Sequence, residues 1–238
     1  VPIIVVGSSK GGCGKSTITT NLITMHQAKG LGSLLIDADP QRSSSNWVAL
    51  RASRGLTPEV VAMEKTGADL KRSAVEMAKH YEHVFIDAPG HNSPELRASL
   101  VVADVLLYPV KPSNFDAWVF HQDFEDLISN VRSINEGLKV MVVMNGLSPA
   151  PAARGQEVLA LREFLSAYTG LYVSPHYVCQ RSSFITAARE GRAVQELPGK
   201  ADSLARAQME MESVHTELMK VLAGERPEAS SVVEGVQS

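Results

Sequence analysis

Short, uninterrupted apolar runs alternate along the chain with longer stretches in which apolar residues recur every three or four positions. Residues 2–7 predict a first strand buried on both faces, since continuous runs mark strands covered by helices on either side. Residues 16–30 place Ile18, Leu22, Ile23, Met25 and Ala28 at helical spacing and stop at a glycine. Further strands are expected at 33–37, 60–63, 83–87, 104–110, 140–144 and 172–174. Helices are expected at 45–54, 68–78, 115–131, 154–167, 182–190 and 203–222. In the helix over 115–131, capped by Ser113 or Asn114, the Phe115, Trp118 and Phe124 stripe reads as core. Strands alternating with helices predict an α/β fold, a doubly wound and mostly parallel sheet flanked by helices. One domain is expected over 1–223. From Gly224 onward Pro, Ser, Glu and Gly dominate without periodicity, so 224–238 reads as a disordered tail.

Candidate chemistry collects where these strands end. The first strand runs into Gly7-Ser8-Ser9-Lys10-Gly11-Gly12-Cys13-Gly14-Lys15-Ser16-Thr17 and then a helix. An apolar strand delivers the chain to one point, and glycines let backbone N–H groups turn towards a polyphosphate. The following helix aims its positive end at the same anion. Gly11, Gly12, Cys13, Gly14, Lys15, Ser16 and Thr17 are therefore the candidate phosphate loop, with Lys15 for the outer phosphates and Ser16 for Mg²⁺. The second strand ends in Asp37-Ala38-Asp39-Pro40-Gln41, where Pro40 breaks the strand and both carboxylates enter the same crevice. Another ends in Asp87-Ala88-Pro89-Gly90, the pattern of an acid that approaches Mg²⁺ through water. Where a guanine reader carries Asn-Lys-x-Asp, this chain has Asn145-Gly146-Leu147-Ser148, which favours adenine. Asn145 either bonds the adenine rim or forms the turn before Gly146.

Composition narrows the reading. The chain has 238 residues, 44% hydrophobic and 21% charged, with a formal net charge of −3, so it lacks the overall basic excess of many nucleic-acid binders. Contact with DNA would need a local patch. Arg181, Arg189, Arg192 and Lys200, with Arg206, supply a small excess over Glu190, Glu196 and Asp202, as a phosphate-contact surface or as a solvated helix face. Cys13 and Cys179 indicate neither a disulfide framework nor an iron–sulfur site, which fits a reducing cytoplasm. No apolar run approaches bilayer length, so no stable membrane insertion is expected.

Lys10-Gly-Gly-Cys-Gly-Lys15-Ser16-Thr17, Asp37-Ala-Asp39-Pro-Gln41 followed by Ser45-Asn46-Trp47, Asp87-Ala-Pro-Gly90 and Pro109-Val-Lys-Pro112-Ser113 together resemble the ParA/MinD family, particularly the small ParF-like plasmid-partition ATPases. Ser9 replaces the usual first glycine and Lys10 adds a second cation. The resemblance implies an ATP- and Mg²⁺-dependent sandwich homodimer that binds DNA without sequence preference, associates with the nucleoid, and drives plasmid or chromosome partition with a small ParB-like centromere-binding adaptor that stimulates weak ATP hydrolysis. It carries over Lys10 as the lysine reaching the partner's nucleotide, Lys15 and Ser16 as phosphate and Mg²⁺ ligands, Asp39 as the residue positioning the attacking water, Asp87 as the second-signature acid, and Asp37 as the other switch carboxylate and a further candidate at the Mg²⁺ site. Ala88 stands where many relatives have Thr, so a hydroxyl contact is missing there. With residue 1 already at the first strand, no helix-turn-helix is expected ahead of the loop. Positioning of another cargo, such as a chemoreceptor cluster or microcompartment, uses the same chemistry. Membrane-surface positioning of the MinD kind would need an exposed amphipathic C-terminal helix.

Overall fold

The computed structural model describes residues 1–225; the tail expected over 224–238 lies, from residue 226 on, outside the described residues. Strands β1 (Ile3–Val6), β2 (Ser33–Asp37), β3 (Val61–Glu64), β4 (His83–Asp87), β5 (Val105–Val110), β6 (Lys139–Leu147) and β7 (Leu171–Cys179) form one sheet in the order β3-β2-β4-β1-β5-β6-β7. Every pairing is parallel. The helices are α1 (Lys15–Ala28), α2 (Ser43–Ser53), α3 (Asp69–Met77), α4 (Pro94–Val101), α5 (Asn114–Asp123), α6 (Ser129–Arg132), α7 (Pro151–Leu165), α8 (Ser182–Arg189) and α9 (Asp202–Ala223).

The sheet is covered on both faces, which is why its strands read as unbroken apolar runs. Ile3, Val5, Ile36 and Ile86 face α3, α4, α5, α6 and α7, whereas Ile4, Val6, Leu35 and Phe85 face α1, α2, α8 and α9. Each such side chain contributes about 1.5–3 kcal/mol when fully removed from water. The strand order reverses at β1, which lies between β4 and β5. At such a switch point helices leave the strand ends in opposite directions and open a crevice beyond the carboxyl ends.

Several elements depart from expectation. Helix α4 was not anticipated, although Ser93 caps it by accepting the Leu96 N–H and Pro94 occupies its first turn. Strand β7 extends over nine residues rather than three, because Pro175 falls on an edge strand, where a missing N–H costs no ladder bond, and register shifts in the β6–β7 pairing absorb the irregularity. The helix expected over 115–131 contains a π turn at Phe124–Ile128. Its aromatic stripe is only partly core: Phe124 packs half-buried against the core, whereas Trp118 is 67% exposed.

At the amino ends of the strands, far from the crevice, three buried histidines meet. The His26 ring lies 4.7 Å from both His83 and His215 and 4.8 Å from Phe85. Burial, reinforced by the neighbouring histidines and Lys29, lowers His26 to about 2; burial and Lys29 lower His215 to about 4, and burial lowers His83 as well. The unfolded chain therefore takes up protons on these rings below about pH 6.5 while the folded protein does not, so stability is full above that pH and falls as the pH drops towards 4. In urea melts from pH 7.5 to 4.5, His26→Phe should flatten the loss relative to wild type by up to about 1.4 kcal/mol per pH unit. Parallel curves for the two proteins would show that His26 does not report the folding transition.

Candidate functional site

The crevice is a groove of about 820 Å³ lined by Gly11, Gly12, Gly14, Lys15, Ser16, Thr17 and Thr20 on one side and by Asp39, Pro40, Gln41, Ser43, Asn46, Trp47 and Leu50 on another, with Gly90, His91 and Ala188 completing it. Thus the loop after β1, the turn after β2 and the turn after β4 converge, as the carboxyl ends of three adjacent strands must.

The loop is shaped by backbone demands that only glycine meets easily. Gly12 and Gly14 have φ of 72° and 97°, and a side chain on Gly14 would collide with the Asn145 amide. Long-range contacts then clamp the loop. The Ser9 N–H donates to Asp123 Oδ2 at 2.9 Å, and the Tyr108 hydroxyl donates to the same oxygen at 2.7 Å. Asn145 Nδ2 donates to the Cys13 carbonyl at 2.6 Å. That bond gives Asn145 a task neither sequence alternative named, tying β6 to the phosphate loop. The Cys13 side chain is fully buried, with its sulfur 3.0 Å from Ser8 Oγ, so Cys13 has only backbone to offer a ligand. Lys15, 6% exposed, donates from Nζ to the Lys10 carbonyl at 2.9 Å. Lys10 itself is half-buried on the loop.

The three acids are set differently. Asp37 Oδ1 accepts the Asp39 N–H at 3.1 Å and Oδ2 accepts the Ser45 N–H at 2.8 Å. Both oxygens of Asp37 thus carry a backbone donor, and it anchors the turn and the start of α2. Asp39 is half-buried at the groove rim, where Oδ1 accepts the Gln41 N–H at 2.9 Å. Asp87 is fully buried, and neither carboxylate oxygen makes a hydrogen bond of ordinary geometry. Burial pushes its pKa up to about 7; Asp37 adds to the rise, while the nearby Ser16 and Ser44 hydroxyls and Lys15 oppose it. An orphaned buried carboxylate beside a serine hydroxyl is the donor set a hydrated Mg²⁺ satisfies, so Asp87 and Ser16 fit that ion.

The basic segment is less uniform than its sequence suggests. Arg181 is a correction: its guanidinium is almost entirely buried and engages both oxygens of Glu210, so it is an internal ion pair rather than a phosphate contact. Arg192 is half-buried, 3.4 Å from Glu190 and donating to the Glu196 carbonyl. Arg189 and Lys200 are exposed, as is Arg206. None of these cations lines the groove.

Sequence reasoning missed three residues that shape the site, Asp123, Ser44 and His91. Asp123 carries no local signal, since one acid in an amphipathic helix looks like any solvated position. Ser44 has a buried hydroxyl without a hydrogen-bond partner beside Asp87. His91 and Gly90 continue the Asp87 turn. A Cβ on Gly90 would lie 3.0 Å from Gly11 Cα and 3.1 Å from Lys15 Nζ, so only glycine allows the two loops to meet so closely.

A family model described as the CobQ/CobB/MinD/ParA nucleotide binding domain matches residues 4–194, most of the chain and every element of the groove. The chain belongs to this family. A carboxysome-distribution protein, "Maintenance of carboxysome distribution protein A" from Halothiobacillus neapolitanus, is 29% identical over 204 residues, covering 85% of this chain and 90% of that protein. "Protein ParA" from Rhizobium radiobacter is 27% identical over 212 residues, covering 87% and 91%. Among solved structures, the ATP complex of a McdA variant from Cyanothece superposes with a TM-score of 0.72 at 16% identity, covering 97% of this chain and 99% of that one, a likeness of fold.

Neutralising a buried carboxylate that lacks partners should stabilise the free protein. Asp87→Asn is expected to raise Tm at pH 8 by about 3 °C, the shift for roughly 1 kcal/mol in a domain of this size. The same variant should lose the additional rise that Mg²⁺ with ATP gives the wild type. Thermal melts with and without Mg²⁺-ATP check both; a lowered Tm without ligand would mean that Asp87 is stabilised by contacts other than those described.

Proposed function

We propose that the protein is a Mg²⁺-dependent ATPase of the ParA type, a single catalytic domain that dimerises around ATP and positions a large cargo. The observation that carries this reading is the clamped glycine loop facing an orphaned Asp87, with Asp39 at the rim. Loop N–H groups and the Lys15 ammonium would hold the phosphates, and Ser16 and Asp87 would hold the magnesium, whose chemistry when bound is to neutralise charge on the phosphate oxygens. Asp39, its carboxylate fixed by the Gln41 N–H at the groove rim, orients the water that attacks the terminal phosphorus. Lys10 supplies a cation to the nucleotide of a second copy, which couples turnover to association. Arg189, Arg192 and Lys200, doubled by dimerisation, form a DNA phosphate surface on which the cargo is moved with the aid of an adaptor protein.

Two relatives frame the cargo. One is named for ParA and the other for carboxysome distribution, so a protein assembly is as well supported as a plasmid. Membrane-surface positioning is less well supported, because the apolar side of α9, with Ala207, Met211, Val214 and Leu218, is buried against the sheet. Among the described residues, no helix is long and apolar enough to cross a membrane.

Asp39→Ala should retain ATP binding and ATP-driven dimerisation yet lose turnover by at least about 100-fold, whereas Lys15→Ala should weaken nucleotide capture itself. Equilibrium nucleotide binding, analytical ultracentrifugation and phosphate release separate the two. Turnover at the parental rate in Asp39→Ala would remove Asp39 from its role, and a species still monomeric with ATP at tens of micromolar would remove the dimer.

Binding of random-sequence duplex by the ATP form should weaken steeply with salt, log affinity falling by about 0.9 per neutralised phosphate for each decade. Arg189→Ala should lower both affinity and slope while leaving basal hydrolysis intact. Equal or absent binding with ATP, ADP and no nucleotide would remove DNA from the reading.

A further inference from the structure

Arg51 is the bulkiest fully buried side chain among the described residues, and it lies outside the phosphate machinery. Its Nη1 and Nη2 donate to Glu196 Oε2 and Oε1 at 2.7 and 2.6 Å. Nε and Nη2 both donate to the Pro58 carbonyl, at 3.0 and 2.8 Å, and Nη1 also reaches the Gly191 carbonyl at 3.2 Å. The ion pair itself is weak evidence for stability, because buried ion pairs replaced by apolar side chains of similar volume are often neutral or stabilising.

What the pair joins suggests its purpose. On one side stands α2, which begins beside the Asp37 anchor and presents Trp47 and Leu50 to the groove; the Arg51 guanidinium sits 5.5 Å from the Trp47 ring centre. On the other side is the segment 188–196, which starts with Ala188 on the groove wall and carries the exposed Arg189. Within that segment Glu196 Oε2 accepts the Ala193 N–H at 2.8 Å, and the Val194 N–H donates to Asn21 Oδ1 of α1. The two backbones are in direct contact: a Cβ on Gly191 would lie 2.9 Å from the Arg51 nitrogen.

We infer that Arg51, acting through Glu196, is a positioning residue that makes α2 and residues 188–196 one mechanical unit, so that filling the groove alters the surface carrying Arg189. The inference rests on the nucleotide reading of the groove, but not on DNA binding.

Hydrogen exchange with and without Mg²⁺-ATP tests it in wild type and in the paired variant Arg51→Met with Glu196→Leu. In wild type, ATP should change the exchange of amides in 188–196 by at least about fivefold, the low end of measured coupling between sites. The paired variant, which also loses the Arg51 bonds to the Pro58 and Gly191 carbonyls and so melts lower, should show wild-type protection of residues 10–20 with ATP, while its change in 188–196 falls below about twofold. An Arg51 pair that was only structural would leave the ATP effect on 188–196 in place, and that result overturns the inference. It is equally overturned if wild type shows protection at 10–20 and none at 188–196. Should ATP leave both regions of the wild type unchanged, the nucleotide reading itself falls and takes this inference with it. If the paired variant does not fold, Glu196→Gln carries the same comparison, with a partial loss of the effect at 188–196 expected and an undiminished effect overturning the inference.

Discussion

A dry interior does not tolerate a carboxylate without partners, and the centre of this sheet holds one. Asp87 ends β4 between Val6 of β1 and Asp37 of β2, in register with both. Its neighbour Asp37 is satisfied by backbone donors, so the charge deficit falls on Asp87 alone. Burial raises its pKa well above the usual carboxylate range. A group so poised favours whatever brings positive charge to the crevice. The glycine loop and Lys15 above it are arranged for the complementary anion, and together they define a site that is locally unfavourable until both charges arrive.

Rigidity is the other half of that arrangement. The phosphate loop is held by Asp123 from α5, by Asn145 from β6 and by the close approach of Gly90 from the turn after β4. These anchors come from three separate parts of the chain, so the loop's shape is a property of the whole fold. Fixing the N–H groups before a ligand arrives reduces the ordering cost of binding.

How far the sequence revealed this depended on whether the signal was local. Strands buried on both faces were visible as continuous runs, and the Lys10-to-Thr17 loop with the acids at 37, 39 and 87 was visible because glycine, lysine and strand-terminal Asp carry meaning at fixed spacing. What stayed hidden was pairing at a distance. Nothing near Arg181 announces Glu210, which turns an expected surface cation into an interior one, and nothing near Arg51 announces Glu196. The same limit concealed Asp123, while Pro175 concealed most of β7 by imitating a strand breaker where an edge position made it harmless.

That edge proline bears on contacts between copies of the chain. A parallel sheet exposes an unpaired ladder at each border, and a second molecule can zip onto either one. Here one border, β7, is interrupted by Pro175, and the other, β3, is only four residues long and ends where Glu64 pairs with Arg42. Neither border therefore invites runaway strand-to-strand growth when copies of the chain are crowded together.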